Sequence, residues 1–190
     1  MNCRLLLLLF FVYSLNVFSS SLVKGYRDTF YGVPSNSNKV CEYDIRYHQS
    51  WCVPIQTSPM GLYLGFKQLI VFSKTDIQAI HLVRREVKWR IPLQDIYKLH
   101  INYPVIVTFS KDRTLTGYDY FTGYQLWEKP SEYLDLFESG VDLWMVSRSG
   151  IEKIDTVSSE VVQKVPFKRR VLDIHGDDLF LYVQLGPDLF

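Results

Sequence analysis

What this sequence lacks narrows it before any motif is read. It has only three cysteines, and no two of them are adjacent. The four histidines, His48, His81, His100 and His175, stand apart, without metal-ligand spacing or a neighbouring nucleophile motif. There is no glycine-rich phosphate loop and no Gly-x-Ser-x-Gly elbow, so neither nucleotide-phosphate chemistry nor a serine hydrolase has a foothold. Ten glycines and eight prolines are too few for a low-complexity chain. Charge of one sign is not in excess: 21 Lys and Arg face 20 Asp and Glu, which leaves no electrostatic case for nucleic acid or an anionic membrane. Beyond the amino terminus no apolar run approaches the roughly 20 residues of a membrane helix. No Asn-x-Ser/Thr glycosylation acceptor occurs either.

What is present points to a folded β protein. Hydrophobic residues make up 47% of the chain and aromatics 15%, with 13 Tyr and 12 Phe among many Val and Ile. The first residues form a unit of their own. Arg4 supplies a positive end, Leu5 to Phe18 is apolar, and Ser19, Ser20 and Ser21 follow. That layout predicts a secretory signal peptide over residues 1–21, cut after Ser19, with a retained signal anchor as the alternative. Cys3 would leave with the leader. Cys41 and Cys52 would then remain as a pair in an oxidising compartment, which predicts a disulfide between them.

A repeat follows. Leu69 to Lys74, Val105 to Ser110 and Leu143 to Arg148 are hydrophobic strands that start 36 to 38 residues apart. Each leads through a polar turn into an alternating strand, at Ile77 to His81, Leu115 to Asp119 and Ile151 to Asp155. A third strand closes each unit, and a fourth copy opens at Leu179. A period near 40 with several short strands per unit is the mark of propeller blades. The expectation is an all-β, incomplete β-propeller of about three to four blades over residues 61–190. Ile96 to Ile101 and Tyr133 to Phe137 are expected as outer or connecting strands. Residues 22–60 have enough apolar residues for one or two strands and are open to two readings, a closing strand or a flexible arm.

The second repeat carries the most specific motif. Gly117-Tyr118-Asp119-Tyr120-Phe121-Thr122-Gly123-Tyr124-Gln125-Leu126-Trp127 resembles the Ala-x-Asp-x-x-Thr-Gly-x-x-x-Trp docking motif of the pyrroloquinoline-quinone-like, or quinoprotein-type, repeat family. In physical terms Asp119 is suited to bonding turn amides, Thr122-Gly123 to a tight hairpin, and Trp127 to packing on a neighbouring blade. The first repeat keeps Ala79 and Trp89 but has His81 and Arg84-Arg85 at the Asp and Thr-Gly positions. The third keeps Asp155, has Ser158-Ser159 at the turn and places Gln163 where Trp belongs.

The resemblance invites a quinone cofactor, but the residues do not follow. Quinoprotein dehydrogenases surround their cofactor with a full ring of blades, and many have adjacent cysteines and calcium ligands. This sequence has no adjacent cysteine pair. The expectation is no enzyme, no cofactor and no metal, with a fragment of a secreted quinoprotein dehydrogenase as the alternative. His175-Gly176-Asp177-Asp178 reads as turn chemistry.

The leader followed by degraded blades is similar to the lumenal start of the family that forms the first subunit of the ER membrane protein complex. That likeness implies a non-catalytic part in membrane-protein insertion. The lumenal sensors of unfolded-protein-response kinases and the propeller lipoprotein of the bacterial barrel-assembly machine are similar too. No lipid-acceptor cysteine follows this leader, however. The expected partners are proteins or the remainder of a larger propeller, met in the ER lumen, outside the cell, or in a bacterial periplasm. Lys168, Arg169 and Arg170, the densest basic run, are either a solvated loop face or a patch for an acidic partner. Tyr118, Tyr120 and Tyr124 are candidate interface anchors.

Overall fold

The structure, a computed structural model, describes residues 18–190 apart from 27, 35, 36, 45, 47, 140, 141, 177–180, 189 and 190. Most of the expected leader, with Cys3, and part of the His175 to Asp178 turn therefore lie outside the described residues. Among those described, every regular element is a β-strand. The chain divides after Gln94 into two compact units.

The first unit holds two four-stranded antiparallel sheets. One is β1 (Phe18–Tyr26), β2 (Thr29–Pro34), β3 (Lys39–Asp44) and β4 (Gln49–Pro54). The other is β5 (Gly61–Leu64), β6 (Gln68–Phe72), β7 (Asp76–His81) and β8 (Glu86–Pro92). The second unit holds β9 (Ile96–Asn102), β10 (Val105–Ser110), β11 (Thr114–Asp119) and β12 (Gln125–Pro130) as one sheet. Its second sheet is β13 (Asp135–Ser139), β14 (Asp142–Val146), β15 (Gly150–Ile154) and β16 (Val161–Pro166). A pair, β17 (Arg169–Gly176) and β18 (Leu181–Asp188), follows. In every four-stranded sheet the strands lie side by side in chain order, which is the meander of a propeller blade.

Two expectations are corrected. Residues 22–60 do not supply a closing strand: with Phe18 to Ser21 they build a complete sheet, its register running from Val23↔Gly32 to Lys39↔Pro54. Ile96–Asn102 and Asp135–Ser139 are not connectors between the repeats but edge strands that belong to the sheets. They open the third and fourth sheets by pairing with β10 and β14, at the edge opposite β12 and β16.

Burial explains why β6 and β10, the second strands of their sheets, read as nearly unbroken apolar runs. These strands are covered on both faces, so strict alternation is lost. Val105 to Phe109 of β10 are all buried, with Ile106 and Val107 fully so. In the first unit Val40, Trp51 and Val53 of one sheet pack with Leu69, Val71 and Ile80 of the next. In the second unit Val107 and Leu115 pack with Leu143, Met145 and Ile154. Each such side chain stabilises the fold by about 1.5–3 kcal/mol relative to its exposed state. The fourth strands differ: β8, β12 and β16 are mostly exposed, each carries at least one lysine, and each ends in a proline, as protected edges do.

Candidate functional site

The motif at the end of β11 is built around one carboxylate. Asp119 Oδ1 accepts the amides of Phe121 at 3.1 Å and Thr122 at 2.7 Å, and the Thr122 hydroxyl at 2.6 Å. The Gly123 amide donates to the Asp119 carbonyl at 2.9 Å, with Gly123 at φ 73°, a conformation open to glycine. The turn aims β12 so that Trp127 lies opposite Gly117. An added Cβ on Gly117 would sit 2.3 Å from Trp127 Cε2, so the indole lies flat over a position that only glycine leaves open. From there Trp127 Nε1 donates to the Thr156 carbonyl of the next sheet at 3.0 Å, and the Lys129 ammonium reaches the Ser159 carbonyl. Two side chains of β12 thus tie one blade to the β15–β16 turn of its neighbour.

The other sheets repeat this geometry with different residues. At the end of β7 the acceptor is His81, whose Nδ1 takes the amides of Val83 and Arg84, both at 3.2 Å. Arg85 stands where Gly123 does, at φ 60°, its amide on the His81 carbonyl at 2.7 Å. Ala79 is fully buried opposite Trp89. At the end of β15 Asp155 Oδ1 takes the amides of Val157 and Ser158, Ser159 has φ 63°, and Gln163 lies opposite Lys153. A fourth copy, missed in the sequence, ends β3. Asp44 Oδ1 accepts the amides of Arg46 and His48, both at 2.9 Å, and Trp51 lies opposite Glu42. The Trp51 ring faces Arg85 of the neighbouring sheet's turn, 5.8 Å away. Each sheet has its register shift directly after the Trp or Gln pair. Next to Glu42–Trp51 the expected disulfide joins Cys41 to Cys52, which face each other across β3 and β4.

Two buried carboxylates hold the sheets to their connectors. Asp76 accepts from Thr57 at 2.5 Å, Gln78 at 2.8 Å and Arg90 at 2.6 Å, and from Ser73. Burial alone would raise its carboxyl, but these donors outweigh burial and hold it below its ordinary value. Glu152 is held in the same way by Tyr133 and Lys164, whose donors overcome the effect of burial. Burial and the carboxylate together push the Tyr133 hydroxyl far up. Burial lowers the Lys129 ammonium despite Glu152. Each acid is already met by several donors, an arrangement suited to joining strands and unsuited to carrying a proton to a substrate.

The remaining candidates are dispersed. His100 is buried with Nδ1 2.5 Å from Glu138 Oε1, and His48 lies on the surface near Asp44. Among the described residues, no group of three or more His, Cys, Asp and Glu is placed to hold a metal ion. Lys168 and Arg169 are exposed at the entry to β17, and the side chain of Arg170 is outside the described residues. Of the three tyrosines expected as anchors, Tyr118 and Tyr120 are buried and only Tyr124, 75% exposed, is free to meet a partner. Tyr120 instead packs edge-on against Tyr103 and Phe121.

No protein-family model matches the chain, and no curated protein resembles it in sequence. Solved structures do. BamB from Moraxella catarrhalis, a β-propeller, superposes with a TM-score of 0.58 at 11% identity over 88% of this chain and 56% of its own. The computationally designed Ika8 protein gives 0.61 at 12% identity over 87% and 55%. Hsv2 of Kluyveromyces lactis gives 0.60 at 9% over 80% and 54%. The fold is a β-propeller. The chain spans just over half the length of each of these structures.

Proposed function

We propose that this chain is a non-catalytic propeller scaffold for protein–protein contacts, working in the ER lumen or beyond it as part of a larger propeller assembly. The observation that carries the reading is the use made of the motif residues. Asp44, His81, Asp119 and Asp155 are all engaged by turn amides, and Trp127 is engaged by the next blade. The polar chemistry of the repeat goes into building blades, and recognition is left to turns and exposed aromatic side chains, as in other scaffolds of this architecture. The leader pattern and the Cys41–Cys52 bridge support an oxidising compartment. The quinoprotein-type motif and the order of parts support the family of the first subunit of the ER membrane protein complex, with a role in membrane-protein insertion.

The test is the endogenous protein, followed with an antibody to this region in a membrane-plus-lumen extract. The reading expects a protease-protected, membrane-associated species much larger than 22.3 kDa. A cytosolic species, fully digested without detergent, would overturn the compartment. A rise in Tm with pyrroloquinoline quinone and calcium would overturn the non-catalytic assignment, because a ligand bound only by the folded state stabilises it.

A further inference from the structure

The first unit has an open groove of about 650 Å³ beside the β5–β6 hairpin. Its deep part is apolar, formed by the buried Tyr31 and the half-buried Leu64 and Leu82. Its flank is Phe66, which stands 63% exposed at the hairpin tip. The tip is not a loose loop. Lys67 is held at φ 59°, a conformation that a non-glycine residue seldom adopts. The turn is pinned by Gly65 N to Gln68 O at 3.1 Å and Leu82 N to Lys67 O at 3.2 Å. An aromatic presented on a fixed backbone next to an apolar hollow is the arrangement of a binding hot spot, because little backbone freedom is left to lose on association.

The charged side chains that line the hollow, among the described residues, have one sign. The charged residues lining it are Lys24 and Lys67. The Glu42 carboxylate beside it is already engaged by the Tyr31 hydroxyl at 2.8 Å, and Arg85 offsets part of its charge at Tyr31. A volume of this size suits a few side chains, and an open groove suits a chain laid along it better than an enclosed small molecule. We infer that this groove docks an extended acidic peptide segment of a partner protein, which sets an aromatic or branched aliphatic side chain against Phe66 while its carboxylates meet Lys24 and Lys67. The inference rests on the scaffold reading and names the chemistry of one partner.

The experiment uses the full chain and two fluorescein-labelled synthetic peptides, Gly-Ser-Glu-Leu-Glu-Phe-Glu-Ser-Gly and its counterpart with Lys for Glu, read by fluorescence anisotropy. The acidic peptide should bind roughly 10-fold or more tightly than the basic one, and less tightly as salt rises. Phe66→Ala, at an exposed position, should weaken it by about 10-fold or more with an unchanged Tm. Lys24→Glu combined with Lys67→Glu should invert the preference. Equal binding of both peptides, or wild-type affinity in both variants, overturns the groove. So does self-association that Phe66→Ala abolishes, because the occupant is then a second copy. Saturable uptake of a fluorescent fatty acid in place of the peptide overturns it as well. Chemical cross-linking in the lumenal extract separates this inference from the scaffold reading. Protein cross-links that persist in Phe66→Ala sink the groove and leave the scaffold. A chain that binds the acidic peptide but cross-links to no protein sinks the scaffold alone.

Discussion

Gly117→Ala is the sharpest probe of how the blades are held together. The new methyl carbon would lie 2.3 Å from Trp127 Cε2, 2.5 Å from Nε1 and 2.7 Å from Cζ2. Non-bonded carbons rest at about 3.5–4.0 Å, so the indole has to move by about 1 Å or more. It cannot do so and keep the 3.0 Å bond from Nε1 to the Thr156 carbonyl. Overpacking costs about 1–3 kcal/mol and the hydrogen bond about 1 kcal/mol. Replacing a strand glycine returns about 0.5–1 kcal/mol of backbone entropy. The net loss is about 2 kcal/mol, or a Tm lower by about 4–8 °C for a chain of this size. The assay is thermal and urea unfolding followed by far-UV circular dichroism, in the wild-type and Trp127→Val backgrounds. With the indole gone, Gly117→Ala should be neutral or slightly stabilising, which gives a coupling energy of about 2 kcal/mol. The second sheet makes this a demanding test, because Ala79 occupies the same place opposite Trp89. A loss below about 0.5 kcal/mol in Gly117→Ala, or the same loss in both backgrounds, would refute the account.

Three further outcomes follow from the same contacts. Asp119→Ala removes the acceptor of two amides and a hydroxyl and should cost about 1.5–3 kcal/mol in urea unfolding, while Asp119→Asn, which keeps an acceptor oxygen, should cost less than half as much. The Asp76 carboxyl is held below its ordinary value of 3.8, so its contribution is fully present above that value and is lost as pH falls through the lower, folded value. Asp76→Asn should therefore lower stability by about 2 kcal/mol at neutral pH and flatten the acid limb of a stability–pH profile; an unchanged limb would count against it. Reducing Cys41–Cys52, which are 11 residues apart in sequence, should cost about 3 kcal/mol, read as a lower urea midpoint with dithiothreitol that Cys41→Ser/Cys52→Ser reproduces without reductant.

The repeats over residues 61–190 were legible because strands covered on both faces cannot avoid long apolar runs, and those runs recur with the blade. The blade before them was not. Its β3–β4 turn is one residue shorter, so Asp44 and Trp51 are seven residues apart where Asp119 and Trp127 are eight, and the motif falls out of register. Glu42 also stands where the motif has a small residue, and β1 continues the apolar stretch that reads as a leader. Two fainter signals do include this blade. Pro54, Pro92, Pro130 and Pro166 each end a fourth strand and pair with the first residue of the third. Ser37, Ser73, Ser110 and Ser147 each offer a hydroxyl to the backbone of the turn between the second and third strands. Neither residue type stands out by composition, because the edge and the turn matter only once pairing is known. The groove at Phe66 was invisible for a related reason: its residues come from two sheets that only the fold places side by side.

The same geometry is kept by chemically unlike residues, and this explains why the fold is plain while sequence kinship is not. A turn acceptor is all that the end of the third strand needs, and a carboxylate at Asp44, Asp119 or Asp155 and an imidazole at His81 serve equally. The left-handed position tolerates Arg85 and Ser159 as well as Gly123, at a cost of about 1–2 kcal/mol for each non-glycine residue, small against the burial of even two core side chains. The docking position takes Trp51, Trp89 or Trp127, or Gln163 where Lys153 faces it. When each position accepts any residue that performs one local task, substitutions accumulate almost freely and the backbone hardly moves. Identity to solved propellers then falls to 9–12% while the TM-score stays near 0.6, and no family model recognises the chain. Once a blade has chosen its pair the contact is tight: an added Cβ on Gly117 would lie 2.3 Å from Trp127, so there the partner fixes the residue.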